Sequence, residues 1–302
     1  MKTRTTIIIS LIIGLFVFFQ SCEKDDENND YTGTLTLSLT DAPVDLETID
    51  SINLEITGIE YNKAGGSWEM VEGFGEPKTY NILDLTDGTS ELIGQFPVEA
   101  GRYTQLRFLL NAPEYGTANQ SNPGCYIVFK DGTTEPLFVS SGGETGYKAV
   151  GEFVVPINGS VSVTADFDAR KSILKEAGVT GMFLLKPTIR LIMDNEAGAI
   201  AGNLLNTAAD TSYVVYAYAD ETYTASESDD PAGEEPRFPN AVTSDEPDEA
   251  SHYRLSYLAP MTYDIVVASF IDTTFQKVEG IVEDVSVTSE SVNNQDIDIS
   301  NF

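Results

Sequence analysis

The sequence has very few of the side chains on which most catalytic and metal chemistry depends. It contains one histidine, His252, and two cysteines, Cys22 and Cys125. A histidine-based catalytic triad or metal site has almost no basis in such a chain. The chain also has no G-x-S-x-G nucleophile elbow and no P-loop. We therefore expect a protein that is not an enzyme and has no catalytic residue, no cofactor and no metal site.

Basic residues are scarce relative to acidic ones. The chain has 17 lysines and arginines against 48 aspartates and glutamates, which gives a formal net charge of −31. Binding a phosphate backbone needs a basic face, so nucleic acid is not expected as a partner. An anionic membrane surface repels the same charge. Attachment to a bilayer would therefore have to come from a lipid group, and the acidic surface itself favours solubility.

The longest hydrophobic run lies at the N-terminus, from Ile7 to Phe19, and follows two basic residues, Lys2 and Arg4. A membrane-spanning helix needs about 20 apolar residues, and this run is shorter. A basic segment followed by an apolar segment is typical of a signal peptide. The run ends in Phe19-Gln20-Ser21-Cys22, which resembles a bacterial lipoprotein signal. The resemblance implies that residues 1–21 are a signal peptide and that Cys22 carries acyl chains, which hold a protein on a bilayer. The alternative is an uncleaved N-terminal helix with a chance cysteine.

Residues 22–31 are acidic and polar, and we interpret them as a tether. Within them, Lys24, Asp25 and Asp26 resemble the surface-export signal of Bacteroidota lipoproteins. This resemblance implies an outer-membrane lipoprotein displayed on the cell surface, with the bilayer as a partner through Cys22. The alternative is a tether that carries no export signal.

From Gly33 onward the pattern has the period of a β-strand. Leu35, Leu37 and Leu39 alternate with threonine and serine, which is typical of a strand with one buried face. Many such short runs follow, separated by turn signals such as Asp87-Gly88. One short helix is predicted over residues 169–177, with Asp168 as its N-cap. The predicted fold is mainly β, with two antiparallel β-sandwich domains in tandem, at residues 32–194 and 197–302.

Three motifs in the first predicted domain resemble a known family. They are Thr40 to Pro43, Phe167 to Ile173 and Leu185 to Arg190, in this order. Together they resemble a bacterial lipoprotein family catalogued as domain of unknown function 4382, over about residues 33–193. The resemblance implies a β-rich fold and a surface-lipoprotein context, and it brings no catalytic residues.

The second predicted domain resembles the small transthyretin-like, or carboxypeptidase regulatory-like, sandwich. The resemblance lies in residues 253–255, 258–260 and 263–267, although His252 and Met261 stand where that module usually has glycine. Between its strands is an acidic loop, residues 226–250. We expect this loop to be mobile, because only Phe238 and Val242 could offset the entropy of ordering it.

Three functions remain open from the sequence. The first is a non-enzymatic binding or adhesion module with a protein or glycan ligand. The second is a carbohydrate-binding accessory protein of a glycan-uptake system, with tyrosines as its platform, although core packing is the commoner explanation for such tyrosines. The third is a glycoside hydrolase with paired carboxylates such as Asp166 and Asp168. The tyrosines concerned are Tyr213, Tyr216, Tyr218, Tyr223, Tyr253, Tyr257 and Tyr263.

Two smaller predictions concern single groups of residues. Cys125 precedes a strand-like run and is expected to be a buried core residue. The acidic loop and the pair Asp296 and Asp298 are rich in the oxygen ligands that calcium prefers, but they lack EF-hand spacing. A solvated acidic surface explains them more simply.

Overall fold

The computed structural model describes residues 31–42, 48–63, 66–114, 124–139, 146–175, 182–231 and 236–302. The predicted signal peptide, Cys22 and the export residues Lys24, Asp25 and Asp26 lie outside these ranges, so those predictions stay predictions. Within the described ranges, no helix is both long enough and apolar enough to cross a bilayer.

The described residues are mainly β, as the sequence predicts. The strands up to residue 193 are β1 (Thr32–Ala42), β2 (Ile49–Lys63), β3 (Trp68–Met70), β4 (Lys78–Asn81), β5 (Glu91–Glu99), β6 (Gly101–Leu110), β7 (Tyr126–Phe129), β8 (Thr134–Val139), β9 (Tyr147–Val155), β10 (Ser160–Asp168), β11 (Ile173–Lys175), β12 (Phe183–Leu185) and β13 (Ile189–Met193). The later strands are β14 (Gly198–Leu205), β15 (Ser212–Ala219), β16 (Thr243–Asp245), β17 (His252–Leu258), β18 (Thr262–Ile271), β19 (Thr274–Ser286), β20 (Val292–Asn294) and β21 (Ile297–Asp298). The helices are α1 (Ala169–Ser172) and three 3-10 turns, Ile82–Leu85, Ala225–Ser228 and Ile299–Asn301.

The strands up to residue 193 join in one sheet, which we call the first half. Its order is β11-β12-β8-β7-β2-β6-β9-β13-β10-β1-β5, with β3 and β4 also paired to β2. The leucines of β1 face the core as predicted, since Leu35, Leu37 and Leu39 are at most 1% exposed. Most strand pairs of this sheet are antiparallel, as predicted, but β1 pairs in parallel with β10 and β13 with β9. Strand alternation shows which face is buried, but it does not identify the partner strand or its direction.

The strands from residue 198 onward form two sheets packed face to face, which we call the second half. One sheet has the order β17-β14-β20, with β21 also on β14, and the other has the order β16-β15-β18-β19. The core between them contains Ile200 and Leu255 from the first sheet, and Val215 and Ile265 from the second. All four side chains are fully buried. This arrangement is a β-sandwich.

The predicted helix is present but shorter than expected. It ends at Ser172, and the next residues form β11, which pairs with β12. Asp168 caps it as predicted, because its Oδ1 accepts a hydrogen bond from the Lys171 N–H at 3.1 Å. A single helical turn has little stability of its own. The chain therefore leaves the helix at the apolar residues Ile173 and Leu174, which pair with β12 instead.

The hydrophobic cores of the two halves have no residue in common among those described. The first core runs in sequence from Leu35 to Leu191, and the second from Ile200 to Ile297. Residues Thr32–Phe302 nevertheless form one compact unit, separate from Met1–Tyr31. The division into two independent domains, at residues 32–194 and 197–302, therefore stays a prediction.

The acidic loop is packed against the second half, contrary to the expectation of a mobile segment. Phe238 and Ala241 are fully buried and cover the outer face of the β15–β18 sheet. Glu227, near the start of the loop, is buried and accepts hydrogen bonds from the Tyr218 hydroxyl and the Asn240 N–H, at 2.9 and 3.1 Å. Burial acts to raise the pKa of Glu227, but these hydrogen bonds hold it below its ordinary value. The sheet is thus buried on both faces, which explains the nearly continuous apolar sequences of β15 and β18.

Candidate functional site

One contact between the two halves lies at α1, where cationic side chains bind backbone carbonyls of the acidic loop. Arg170 Nη1 donates to the carbonyl oxygens of Arg237 and Phe238, at 3.1 and 2.7 Å. Lys171 Nζ donates to the carbonyl oxygen of Ala241 at 2.6 Å. Burial lowers the pKa of Lys171, although Asp168 beside it acts in the opposite direction. These contacts join the first half to the second.

The candidate catalytic carboxylates belong to the same contact. Asp166 accepts a hydrogen bond from Arg190 Nε at 2.6 Å, and burial raises its pKa. Asp168 lies 3.4 Å from Arg170 Nη2 and 3.3 Å from Lys171 Nζ. Both carboxylates are therefore buried in ion pairs rather than directed at a cleft. These ion pairs favour a structural role for both carboxylates over the hydrolytic pair, as the capping role of Asp168 does.

Replacing Arg170 with methionine should test how strongly α1 holds the loop. The variant leaves two buried carbonyls without their donor and Asp168 with one cation fewer. We expect the free energy of unfolding to fall by about 3 kcal/mol, as for a buried charge that loses its partner. The matched control is Arg102→Met, because Arg102 is exposed and forms a surface ion pair with Glu152, and it should change stability little. Urea unfolding measures both, and equal effects would contradict a structural role for Arg170.

A second contact between the halves is made by the Asp87-Gly88 turn, which lies against β17. A Cβ atom on Gly88 would come within 2.7 Å of Ser256 Oγ and 3.0 Å of Arg254 Nε. Gly88 also has a φ of +77°. Glycine is required here by both the close approach and the left-handed backbone. The Tyr257 hydroxyl donates to the Gly88 carbonyl at 3.3 Å, which fixes the turn on the strand.

Strand β17 is irregular at the point where the turn meets it. Gly198 pairs with Leu258 and Ile200 pairs with Leu255, so Ser256 and Tyr257 lie opposite the single residue Ala199. Such a β-bulge redirects the side chains of its extra residues. Tyr257 has a φ of +53°. This conformation is unusual for a bulky side chain, and such outliers concentrate at ligand sites.

The bulge lines a cavity of about 240 Å³ between the two halves. A neighbouring cavity of about 370 Å³ lies beside Asp194 and Asn195, at the end of β13. Glu290 lines both cavities. We call the pair the junction groove, and its polar side chains are Arg254, Ser256, Tyr257, Glu290, Ser291, Ser160, Ser162, Asp194 and Asn195.

The groove combines hydrogen-bond donors and acceptors. Arg254 Nε donates to Ser256 Oγ at 3.1 Å, and Thr164 Oγ1 donates to Asp194 Oδ1 at 2.7 Å. Beneath it, Asp245 Oδ2 accepts from the Arg254 N–H at 2.6 Å. Burial, together with the neighbouring Asp87 carboxyl, raises the pKa of Asp245 to about 8. No group of three or more histidine, cysteine, aspartate or glutamate side chains among the described residues could hold a metal ion.

Residues 32–187 match the model of a protein family described as a domain of unknown function, DUF4382. The match covers slightly more than half of the 302 residues. The chain belongs to the DUF4382 family. The resemblance stated for the first predicted domain is thereby confirmed, whereas the transthyretin-like assignment of residues 197–302 stays a prediction.

Solved structures give only distant similarities to this DUF4382 protein. The TIE protein of Bacillus anthracis is 10% identical with a TM-score of 0.20, over 88% of this chain and 34% of that one. The chain thus spans about a third of the length of that protein. A Pseudomonas aeruginosa protein described as a candidate carbohydrate-binding protein is 13% identical, with a TM-score of 0.20, over 35% of this chain and 91% of that one. The minor pilin GBS52 of Streptococcus agalactiae is 10% identical, with a TM-score of 0.22, over 87% and 94% of the two chains. No curated protein matches.

The tyrosines do not form the exposed platform that a glycan-binding surface would need. Tyr213, Tyr216, Tyr218, Tyr253 and Tyr263 are all less than 9% exposed, and Tyr216 stacks beneath Phe238 with ring centroids 4.5 Å apart. Of the seven tyrosines considered, only Tyr223 and Tyr257 are half-buried, and Tyr257 alone lines the groove of this DUF4382 protein.

Several groove residues were not identified from the sequence. Arg254, Glu290 and Asp194 lie on different strands and turns, and no local pattern relates them. The Asp87-Gly88 turn was identified only as a turn, and its close fit against Ser256 depends on the tertiary fold.

Cys125 lies far from this chemistry, in the core of the DUF4382 domain. It is fully buried, and burial raises the pKa of its thiol to about 12. The prediction of a core cysteine is confirmed.

Proposed function

We propose that this protein is a non-enzymatic binding or adhesion module, held on the outer membrane by acylated Cys22, and that the junction groove is its ligand site. The position and lining of the groove are the observation that supports a ligand site there. Both halves of the compact unit contribute to it, and it presents polar groups in a concave site. Small-ligand sites occur preferentially at such junctions.

The local backbone supports a binding role for the groove. Tyr257 and Glu290 both have a left-handed backbone, with φ of +53° and +54°. Neither residue type adopts this conformation readily. The structure holds both in place at the edge of the same cavity, as expected for a preorganised site.

The groove serine is arranged for binding rather than for nucleophilic attack. Ser256 Oγ accepts a hydrogen bond from Arg254 Nε at 3.1 Å. Arginine stays protonated and has no lone pair to accept the serine proton. Activation of a serine requires an adjacent base. Ser256 is therefore a hydrogen-bonding group in this site, consistent with a protein that binds and does not catalyse.

The anchor is tested by growing cells with radiolabelled palmitate and replacing Cys22 with serine. We expect the natural chain to incorporate label and to sediment with membranes, because acyl chains contribute about 0.8 kcal/mol per buried CH₂. The Cys22→Ser variant should lose the label entirely and appear in the soluble fraction. The matched control is Cys125→Ser, which changes the other cysteine and should keep the label.

Surface display is tested in the same strain by protease treatment of intact cells. Replacing Lys24, Asp25 and Asp26 with alanine should protect the protein from protease while leaving the palmitate label unchanged. Label that persists after Cys22→Ser would contradict the proposed anchor, and undiminished protease access in the triple variant would contradict the export signal.

A further inference from the structure

The chemistry of the junction groove identifies the class of ligand that it would take. The groove offers acceptors from Glu290 and Asp194, and donors from Arg254 and from serine hydroxyls. Hydroxyl groups both donate and accept, so a ligand rich in hydroxyl groups can satisfy both kinds of partner. A purely apolar ligand would cover these groups without offering them hydrogen bonds, which is unfavourable.

The charge of the groove disfavours an anionic ligand. Among the described residues that line the two cavities, Arg254 is the only cation, whereas Glu290 and Asp194 contribute two carboxylates. Asp87 immediately precedes Gly88, which lines the first cavity, and adds a further carboxylate. The whole chain carries a net charge of −31. Such a surface repels acidic ligands during encounter and in the complex. A neutral ligand avoids this repulsion.

Tyr257 gives the groove an aromatic surface in a fixed position. Its hydroxyl is bound to the Gly88 carbonyl, and its backbone is held by the β-bulge of β17. The ring is half-buried and lines the cavity, so part of it faces the space that a ligand would occupy. An aromatic ring presents an apolar face with a polar tip, which suits a ligand that has both hydroxyl groups and apolar C–H faces.

The shape of the groove fits a chain of small units rather than a single large ligand. The two cavities measure about 240 and 370 Å³, and Glu290 borders both. Pockets for drug-sized ligands span about 300–1,000 Å³. One volume lies below this range and the other near its lower end, so each cavity suits a small ring, and the shared residue places the two rings next to each other.

We infer that the junction groove binds a neutral glycan, with consecutive sugar rings in its two cavities, Tyr257 against one ring and Glu290 between them. This inference rests on the proposed function, because it names the ligand of the same site. It differs from the tyrosine platform suggested by the sequence, since Tyr257 is the one tyrosine of that set in the groove and its polar partners come from both halves.

The inference is tested on a glycan array that carries neutral, uronic acid-containing and sulfated glycans. The probe is the mature chain from Glu23 onward, because all the hydrophobic cores lie within the compact unit Thr32–Phe302. We expect neutral glycans to bind and acidic glycans to be excluded. A bound neutral glycan is then titrated by calorimetry against variants of the groove.

Tyr257→Asn removes the ring and keeps a residue type that tolerates a positive φ. We expect it to weaken binding at least about tenfold, as expected for the loss of one aromatic contact. Tyr257→Phe keeps the ring and should stay within about threefold of the natural chain. The matched control is Tyr31→Asn, an exposed tyrosine just before the compact unit, which should have no effect.

Glu290→Gln provides a second variant, on an exposed side chain whose replacement leaves the fold intact. It should also weaken binding, because an ionised acceptor makes stronger hydrogen bonds than a neutral one. An array with no neutral hits, binding confined to acidic glycans, or neutral binding unchanged in both groove variants would overturn the inference. None of these results affects the palmitate labelling of Cys22, so failure of the glycan site and failure of the anchor are distinguishable.

Discussion

Phe238→Ala should lower the free energy of unfolding by about 3–5 kcal/mol and release the acidic loop, as is usual when a buried phenylalanine is removed. Phe238 is fully buried between aromatic rings of three other segments. Its ring centroid lies 4.5 Å from that of Tyr216, 5.9 Å from that of Phe275 and 6.5 Å from that of Tyr223. Alanine leaves a cavity that Tyr216 and Phe275, which are fixed on β15 and β19, cannot fill.

The loss of stability caused by Phe238→Ala should be larger in the loop than in the rest of the molecule. Phe238 and Ala241 are the fully buried side chains by which the segment after residue 236 covers the β15–β18 sheet. Once the Phe238 ring is lost, the hydrogen bonds between Asn240 and Glu227 should weaken, and Glu227 should become exposed, because a buried carboxylate is stable only while its hydrogen bonds persist. The chain around Arg237 should then open locally before the whole unit unfolds.

Two measurements check this result. Urea unfolding gives the global loss of stability, and limited trypsin digestion reports cleavage after Arg237. In the natural chain Arg237 Nη2 pairs with Asp230 Oδ1 at 2.7 Å and its guanidinium lies over the Phe275 ring, which should protect the bond. Phe302→Ala is the control, because that side chain is half exposed and should cost less than about 1 kcal/mol. Unchanged trypsin resistance in Phe238→Ala would show that the loop is held by other contacts.

The packing of the acidic loop could not be predicted from its own sequence. Its composition predicts mobility, because its acids far outnumber its apolar residues. The decisive information lies elsewhere in the chain: Tyr216 and Phe275 provide the pocket for Phe238, and Arg170 provides donors for its backbone. Composition within a segment cannot reveal partners that tertiary packing supplies.

Local patterns, in contrast, predicted local structure well. The alternation in β1 identified the buried leucines, and Asp168 was correctly placed at the start of α1. Both depend on neighbours within a few residues along the chain. The parallel pairing of β1 with β10 and the bulge at Tyr257 depend on contacts distant in sequence, so neither could be predicted. The junction groove was missed for the same reason.

Asp245→Asn should remove a pH dependence of stability and make the protein more stable in mild alkali. Asp245 is 1% exposed, and burial beside Asp87 raises its pKa from 3.8 to about 8. Between these two pH values the folded state holds a proton that the unfolded chain has lost. Unfolding then releases a proton, so rising pH favours the unfolded state. The contribution of this group is intact below about pH 4, falls by about 1.4 kcal/mol per pH unit, and levels off above about pH 8.

Asparagine reproduces the shape of the protonated aspartate. Its side-chain oxygen can still accept from the Arg254 N–H, and its amide can donate to the Asp87 carboxylate. We therefore expect similar stability for the two proteins near pH 4.5 and an advantage for the variant of at least about 2 kcal/mol at pH 8.5. Urea unfolding at several pH values measures the difference, and subtracting the two curves removes the titration of all other acids. Asp50→Asn, on an exposed strand residue, is the control and should give parallel curves.

Asp87→Asn separates the two causes of the raised pKa. Burial is the larger cause and the neighbouring carboxyl the smaller one. Most of the pH dependence should therefore survive in Asp87→Asn, whereas Asp245→Asn should abolish it. If the two variants flattened the curve equally, the effect would arise from repulsion between two carboxylates at the Asp87-Gly88 turn rather than from the burial of one of them. Ionisation of Asp245 and Asp87 would then weaken the contact between the halves. The junction groove would be pH-sensitive because of this repulsion and not because a buried carboxyl loses its proton.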